Sequence, residues 1–405
     1  MNFSREEIRP IEKASLSGFV MKRYPKKENL FFTIAVVGVV LLFLCLTCAV
    51  GIESTVRTSY RDEDIPCEWS GVKRIVAVGD LHGAYEHFVE ILEGTKLVDA
   101  ELNWIGGKTH LVQIGDVLDR GDKPKDIFDL AIKLEKEAEA VGGKVHMMIG
   151  NHEEMNLANT AFDREGYITV SQFIQFLPEN YYLKQVKKFQ RKTKSFSSSN
   201  SISHADYEEE WTEIIEKFID VPGAQGRMFY VKNLNELYGD WIIEHNVIIK
   251  INDIIFVHGG ISEVLSQRWT LKEINETYRI ELDDIRKAVI KKQMPKIPGY
   301  DRQLYNEPNG PLWYRALANE ESEEFEDDVL RILENLQADY IVIAHTPQLA
   351  SEKEMKKYGG KVWVIDTGIA DYYRPIGGHT SALIIEDDRF SIWYPDSGQK
   401  VSKIN

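Results

Sequence analysis

The chain has 405 residues, 43% of them apolar and 28% charged, which is enough to bury a full core and too apolar for a disordered or fibrous protein. Residues 1–52 hold seven Lys/Arg and four Asp/Glu, so the rest carries 42 basic against 60 acidic residues, a net charge of −18 that repels a nucleic-acid backbone and excludes a nucleic-acid partner. Two of the three cysteines, Cys45 and Cys48, share one apolar run, so neither a disulfide framework nor a zinc-type pairing exists; a reactive Cys-x5-Arg loop from Cys67 would need arginine at position 73, which is Lys73.

In chain order, residues 1–30 form a tail, followed at 31–52 (FFTIAVVGVVLLFLCLTCAVGI) by 22 residues without a charge. That length matches the ~20 residues needed to cross a bilayer and predicts a transmembrane signal anchor. A cleaved signal peptide is the alternative, although its apolar region usually spans only ~7–15 residues. Lys22, Arg23, Lys26 and Lys27 precede the run, against Arg57 and Arg61 after it. The positive-inside rule then puts the N-terminus in the cytoplasm and the remaining chain on the far side of the membrane, whether translation starts at Met1 or Met21. Residues 53–73, with Pro66 and the charged run 61–64, read as a polar stalk.

A domain over 74–398 follows. Residues 74–78 (RIVAV) predict a strand, 85–97 a helix with Phe88, Ile91 and Leu92 on one face, and 111–114 a second strand. A helix opens at Pro124, aligns Ile127, Ala131, Leu134 and Ala138 and stops at Gly142-Gly143; a third strand covers 145–149. Strands joined by helical crossovers imply a parallel sheet with ligands at its carboxyl ends. The stretch from about 154 to 245 is helical, aromatic and interrupted by TKSFSSSNSISH at 193–204, the pattern of an inserted cap with a loop. Strands resume at 247–251, 254–257, 340–343 and 362–365, with a hairpin of 381–385 and 390–393. A helix starting in the acidic run 320–328 would turn Val329, Ile332, Leu333 and Leu336 inward.

The chemistry lies just after these strands. Gly79-Asp80-Leu81-His82-Gly83 follows the first, Gly115-Asp116-Val117-Leu118-Asp119-Arg120-Gly121 the second, and Gly150-Asn151-His152-Glu153 the third; His258 and His345 end two later strands. Any one such signal is ordinary turn chemistry. Five strand ends delivering three Asp, one Asn and four His, with Asp80, Asp116 and Asn151 spaced 36 and 35 residues apart, are not. Polar groups gathered at a sheet edge are costly without a purpose, and carboxylates with neutral imidazoles suit Mn, Fe or Zn.

Together GDxHG, GDxxDRG, GNHE, HGG and a late AHTP resemble the calcineurin-like metallophosphoesterases, in their phosphoprotein phosphatase branch. The strings GDVLDRGD, GNHEEMN and GPLWYR (310–315) are most similar to the bacterial-type Shewanella-like phosphatases. The resemblance implies an αββα sandwich of two mixed sheets flanked by helices, here with a helical cap insert. It also implies two divalent or mixed-valence metal ions (Mn, Fe or Zn). Asp80, His82 and a bridging Asp116 would hold one metal, and Asp116, Asn151, His258 and His345 the other. By the same resemblance a bridging hydroxide attacks phosphorus, Arg120 and Arg315 bind phosphoryl oxygens, and His152, oriented by Asp119, protonates the leaving group. The substrate expected is a phosphorylated protein, or otherwise a small phosphoester or dinucleoside polyphosphate. The long insert, and Asp366-Thr367-Gly368 near the C-terminus, depart from the eukaryotic Ser/Thr enzymes. His110, His245 and His379 read as structural histidines, Asp366 as a support for a metal ligand, and Trp313 and Tyr314 as either core or a stacking surface.

Overall fold

A computed structural model describes residues 64–178, 225–292, 304–305, 307–349, 355–395 and 398–401. The apolar run 31–52, the tail before it, most of the expected stalk and the middle of the expected cap lie outside the described residues. Among those described, no helix is long and apolar enough to cross a membrane.

Twelve strands are described: β1 (Glu68–Trp69), β2 (Arg74–Val78), β3 (His110–Gln113), β4 (Lys144–Met147), β5 (Ile248–Ile251), β6 (Ile254–Val257), β7 (Tyr340–Ile343), β8 (Lys356–Lys357), β9 (Val362–Val364), β10 (Ala382–Glu386), β11 (Arg389–Tyr394) and β12 (Gly398–Val401). They form two mixed sheets, β12-β11-β10-β2-β3-β4 and β1-β5-β6-β7-β9-β8. Strands β2, β3 and β4 run parallel, as the crossover pattern predicts, with Ile75 opposite His110 and His110 opposite Lys144. The β10–β11 hairpin joins antiparallel to β2, with Leu383 opposite Ala77. Strands β2, β3 and β6 are almost wholly buried, which is why β2 and β6 read as apolar runs without alternation, while β3 buries His110 and Gln113 at its two ends. The sheets face each other across a shared core: Trp363 of β9 stacks on Phe390 of β11 at 5.0 Å, and Tyr340 of β7 meets the same ring at 4.8 Å.

Helices α1 (Tyr85–Gly94) and α2 (Pro124–Ala140) make the crossovers, and Pro124 starts α2 because its fixed φ suits a first helical turn. The acidic run opens a helix at Glu323–Leu336 that buries Val329, Ile332, Leu333 and Leu336. A longer helix, Leu271–Lys291, which the sequence reading did not place, opens on the capping box Thr270/Glu273 and buries Leu271, Ile274, Tyr278, Leu282 and Ile285 on one face. The described part of the insert is helical: Asn151–Leu157, Val170–Gln175, and Gln225–Leu234 leading through a π turn at Asn235–Gly239 into Asp240–Ile243.

One boundary differs from the sequence reading. Glu68 and Trp69, expected in the stalk, pair parallel with Lys250 and Ile251 of β5, and the Trp69 ring lies edge-on to His146 at 4.4 Å. A two-residue strand has no periodicity to detect; it exists because Trp69 packs, half-buried, against the core.

Candidate active site

The carboxyl ends of β2 and β3, the turn into helix Asn151–Leu157 and the ends of β6 and β7 converge, as the motifs require. The Asp116 carbonyl accepts the N–H groups of Leu81 (3.0 Å) and His82 (2.8 Å), binding the first loop to the second. Five residues at these ends hold positive φ: His82 (44°), Asp116 (56°), Asp119 (69°), Arg120 (64°) and His345 (64°). Such conformations cost on the order of 1 kcal/mol or more each and persist only where the surroundings over-determine them. Glu153 supplies much of that constraint. Its Oε2 accepts from the N–H of Asp116 (2.8 Å) and Gly150 (2.9 Å), and its Oε1 from Val117 (2.9 Å) and Leu118 (3.1 Å). Gly150 must lack a side chain here, since a Cβ would run into the Asp116 carboxylate.

Asp80, His82, Asp116, Asn151, His258 and His345 are all buried, and the fold brings all six together. His82 Nδ1 donates to the Leu118 carbonyl (2.8 Å) and His258 Nδ1 to the Ile114 carbonyl (2.7 Å), so in the neutral rings each Nε2 keeps its lone pair for the pocket. His82 Nε2 then lies 3.9 Å from Oδ2 of both Asp80 and Asp116. His258 Nε2 lies 2.9 Å from Asn151 Oδ1 and 3.3 Å from Asp116 Oδ1. His345 Nε2 is buried without a hydrogen-bond partner. One ligand atom each from Asp116, His258 and His345 falls within 4.8 Å of the others, and the same holds for His82, Asp116 and His152. Acceptors facing acceptors, with an orphaned imidazole nitrogen beside them, fit two cations sharing Asp116.

The electrostatics agree. Burial, then Asp366 and Asp116, push Asp80 well above the usual carboxylate range. Burial, then Arg120, holds His82 well below the usual imidazole range, and burial with His258 does the same to His345. Burial opposes ionisation of Asp116, but His258 and His152 outweigh it and lower that carboxyl. The same pairing raises His258 against its own burial. A buried group of carboxylates with too little positive charge around it is what a metal pair would neutralise.

His152 Nδ1 bonds to Asp119 Oδ2 at 2.6 Å, leaving Nε2 directed to the pocket, 3.7 Å from Asp116 Oδ2. Because His152 belongs to one of the metal-compatible triples, its ligand atom could be counted as a metal donor. The bond from Nδ1 to a buried carboxylate equally suits a proton donor. Arg120 touches His82 Nε2 and lies between two aromatic rings, 4.9 Å from the centroid of Tyr167 and 5.7 Å from that of Tyr373. Among the described residues, Arg315 is fixed through Nη1 alone, on the His345 carbonyl (2.9 Å) and Thr346 Oγ1 (3.0 Å), and the residue is exposed.

Asp366 Oδ1 accepts from Gly368 N–H (3.1 Å), while Oδ2 is buried without a hydrogen-bond partner and its carboxyl opposes Asp80 electrostatically. His110 pairs with His146 (3.0 Å), His245 bridges the Trp241 carbonyl and Glu135, and His379 lies near the Gly377 carbonyl, all away from the pocket. Trp313 is anchored through Nε1 to Glu154 (3.0 Å), with its ring edge-on to His345 at 5.8 Å. Glu153, Glu154, Asn156, Tyr167, Gln172, Tyr230 and Tyr373 had no role in the sequence reading. For the first three the signal was present in GNHEEMN, where every polar residue is engaged; the other four carry no local mark.

The calcineurin-like phosphoesterase family profile matches residues 73–349. Shewanella-like protein phosphatase 1 of Plasmodium berghei is 27% identical over 338 residues, 82% of this chain and 76% of its own length. Shewanella-like protein phosphatase 2 of Arabidopsis thaliana is 43% identical over 99 residues, 24% of this chain and 25% of its own. The solved cold-active protein-tyrosine phosphatase of the psychrophile Shewanella sp. superposes with a TM-score of 0.58 at 25% identity, covering 85% of both chains. A second solved structure of a cold-active protein tyrosine phosphatase gives 0.60 at 25% identity, covering 84% of this chain and 81% of its own.

Proposed function

Because the chain belongs to the calcineurin-like phosphoesterases and is a metal-dependent phosphatase, we propose that it acts on phosphorylated proteins, phosphotyrosine foremost, from a membrane-anchored position outside the cytoplasm. The observation that carries the activity is the convergence of six buried ligand groups on one pocket that Arg120 also reaches. Asp80, His82 and Asp116 would hold one cation, and Asp116, Asn151, His258 and His345 the other. When bound, the two supply Lewis acidity that activates water near neutral pH. Asp119 orients His152 so that Nε2 protonates the departing oxygen. Arg120 and the unengaged face of the Arg315 guanidinium bind phosphoryl oxygens from two sides.

The preference for aryl esters rests on the similarity to the solved cold-active protein-tyrosine phosphatases, with the rings of Tyr167 and Tyr373 packed on Arg120 beside the pocket. Anchoring rests on the uncharged run 31–52 and the lysines and arginines before it. The test is the full chain in detergent, supplied with Mn, Fe or Zn and offered phosphotyrosine peptides, phosphoserine peptides and diadenosine tetraphosphate. Faster turnover of the dinucleotide than of any phosphopeptide would overturn the reading. Release of the domain from intact cells by added protease tests the orientation, and protection until permeabilisation sinks it.

A further inference from the structure

The insert reaches the catalytic machinery through Asp119, which is fully buried and in the left-handed region. Gln172, on helix Val170–Gln175, clamps both ends of that residue: its Oε1 accepts the Asp119 N–H (2.6 Å) and its Nε2 donates to Asp119 Oδ1 (2.9 Å). Asn156 Nδ2 donates to the same carboxylate (3.0 Å to each oxygen) and to the His152 carbonyl (2.9 Å). Tyr230, on helix Gln225–Leu234, closes the ring by donating to Asn156 Oδ1 (2.6 Å) and accepting from Gln172 Nε2 (2.7 Å).

The direction of every bond in this ring is forced. The Asp119 N–H can only donate, so Gln172 turns its oxygen toward it and its amide nitrogen toward the carboxylate and Tyr230. The phenol proton must then go to Asn156, whose oxygen is thereby occupied and whose nitrogen faces Asp119. Tyr230 is held in place by Phe162 (5.2 Å), Phe173 (5.8 Å) and Phe176 (5.6 Å) and has no access to water. Fully satisfied buried networks of this kind fix one geometry, and half-satisfied ones do not.

We propose that Gln172 and Tyr230 are positioning residues for leaving-group protonation: through Asn156 and Asp119 they hold His152 in line with the departing oxygen, so that the insert completes the proton donor. This rests on the phosphatase reading above. It predicts a defect that depends on the leaving group, because 4-nitrophenolate departs with little help from an acid and phenolate does not.

The experiment measures kcat and KM of the full chain with its metals on 4-nitrophenyl phosphate and phenyl phosphate. Tyr230→Phe keeps the ring and loses only the hydroxyl; Gln172→Glu keeps the acceptor for the Asp119 N–H but sets a negative charge against its carboxylate. The ratio of the two kcat values, nitrophenyl over phenyl, should rise about fivefold in Tyr230→Phe and about tenfold or more in Gln172→Glu, with metal content by elemental analysis retained. In a His152→Ala background neither substitution should change the ratio further, since the group they position is gone. Equal losses on both substrates, an additional change of ratio in the His152→Ala background, or loss of metal would each overturn the proposal. If Gln172→Glu does not fold, Tyr230→Phe alone decides. Failure of the unaltered protein to hydrolyse either ester counts against the phosphatase reading, and an unchanged ratio in an active Tyr230→Phe protein counts against this inference alone.

Discussion

Replacing Glu153 by Gln changes one atom at a point where four backbone N–H groups converge. Whichever way the new amide turns, its NH2 faces two donors. At the Oε2 position it displaces the bonds from Asp116 and Gly150, and at the Oε1 position those from Val117 and Leu118. Hydrogen bonds to a charged acceptor contribute about 1.5–3 kcal/mol each, so the gross loss is about 3–6 kcal/mol. Burial and the nearby Asp116 both push the Glu153 carboxyl upward, so removing its charge recovers part of that loss. A net destabilisation of about 3 kcal/mol follows, a large share of the ~5–15 kcal/mol typical of a folded domain. Urea unfolding of the metal-stripped protein measures it, with an unchanged slope required for the comparison. The exposed Glu139→Gln serves as a near-neutral control. A loss under about 1 kcal/mol at constant slope would refute the claim that Glu153 pins the Asp116 turn. Zinc titration adds a second check, since an Asp116 turn freed from its brace should bind metal more weakly.

Three further outcomes are expected. Asp116→Asn should weaken binding of both metals, because the shared carboxylate loses its charge; elemental analysis showing full occupancy would contradict the bridge. Arg315→Lys and Arg315→Ala should each lower kcat/KM at least about tenfold, some 1.4 kcal/mol, with metal content unchanged, and unaltered kinetics in a folded Arg315→Ala protein would refute the phosphate-binding role. Burial, with Lys144 adding to it, pushes His110 down to about 4 from an ordinary 6.5. Its contribution to stability is therefore complete above 6.5 and lost as pH falls from there toward 4, as the unfolded chain takes the proton first, up to about 3 kcal/mol. Urea unfolding of metal-stripped protein between pH 7 and 4.5 should show that decline flattened in His110→Gln; parallel curves would show that the His110–His146 pair does not carry it.

The candidate metal ligands were legible in the sequence because each is local. A hard donor beside glycine at the end of an apolar run is visible within five residues, and strand order does not matter to recognising it. The two sheets were less legible, since β2, β3 and β6 are buried on both faces and a run without alternating burial does not say which strand lies beside it or in which direction. What holds the ligands was scarcely legible at all. Glu153 stood inside a quoted motif, yet its four partners are backbone N–H groups, which every sequence contains. Gln172 and Tyr230 are 53 and 111 positions from Asp119 and look like ordinary members of an aromatic helical insert. Their role exists only because that insert folds back over the loop after β3, where Thr169 Oγ1 meets the Gly121 carbonyl and the Tyr167 carbonyl meets the Arg120 N–H.

Substitutions in this enzyme fall into two kinds. A change at Asp80, Asp116 or His258 acts on charge at the pocket and should register first as altered metal binding. Removing the Tyr230 hydroxyl leaves every one of those donors in place and disturbs a hydrogen-bonded ring that reaches the pocket through Asp119 and His152. Such variants should keep their metals and still fail on esters whose leaving group needs a proton. Metal content and turnover of an activated ester would then both look close to normal in a protein that has lost its physiological reaction. Phosphotyrosine, whose phenolate is a poor leaving group compared with 4-nitrophenolate, would expose the defect that the usual chromogenic substrate conceals.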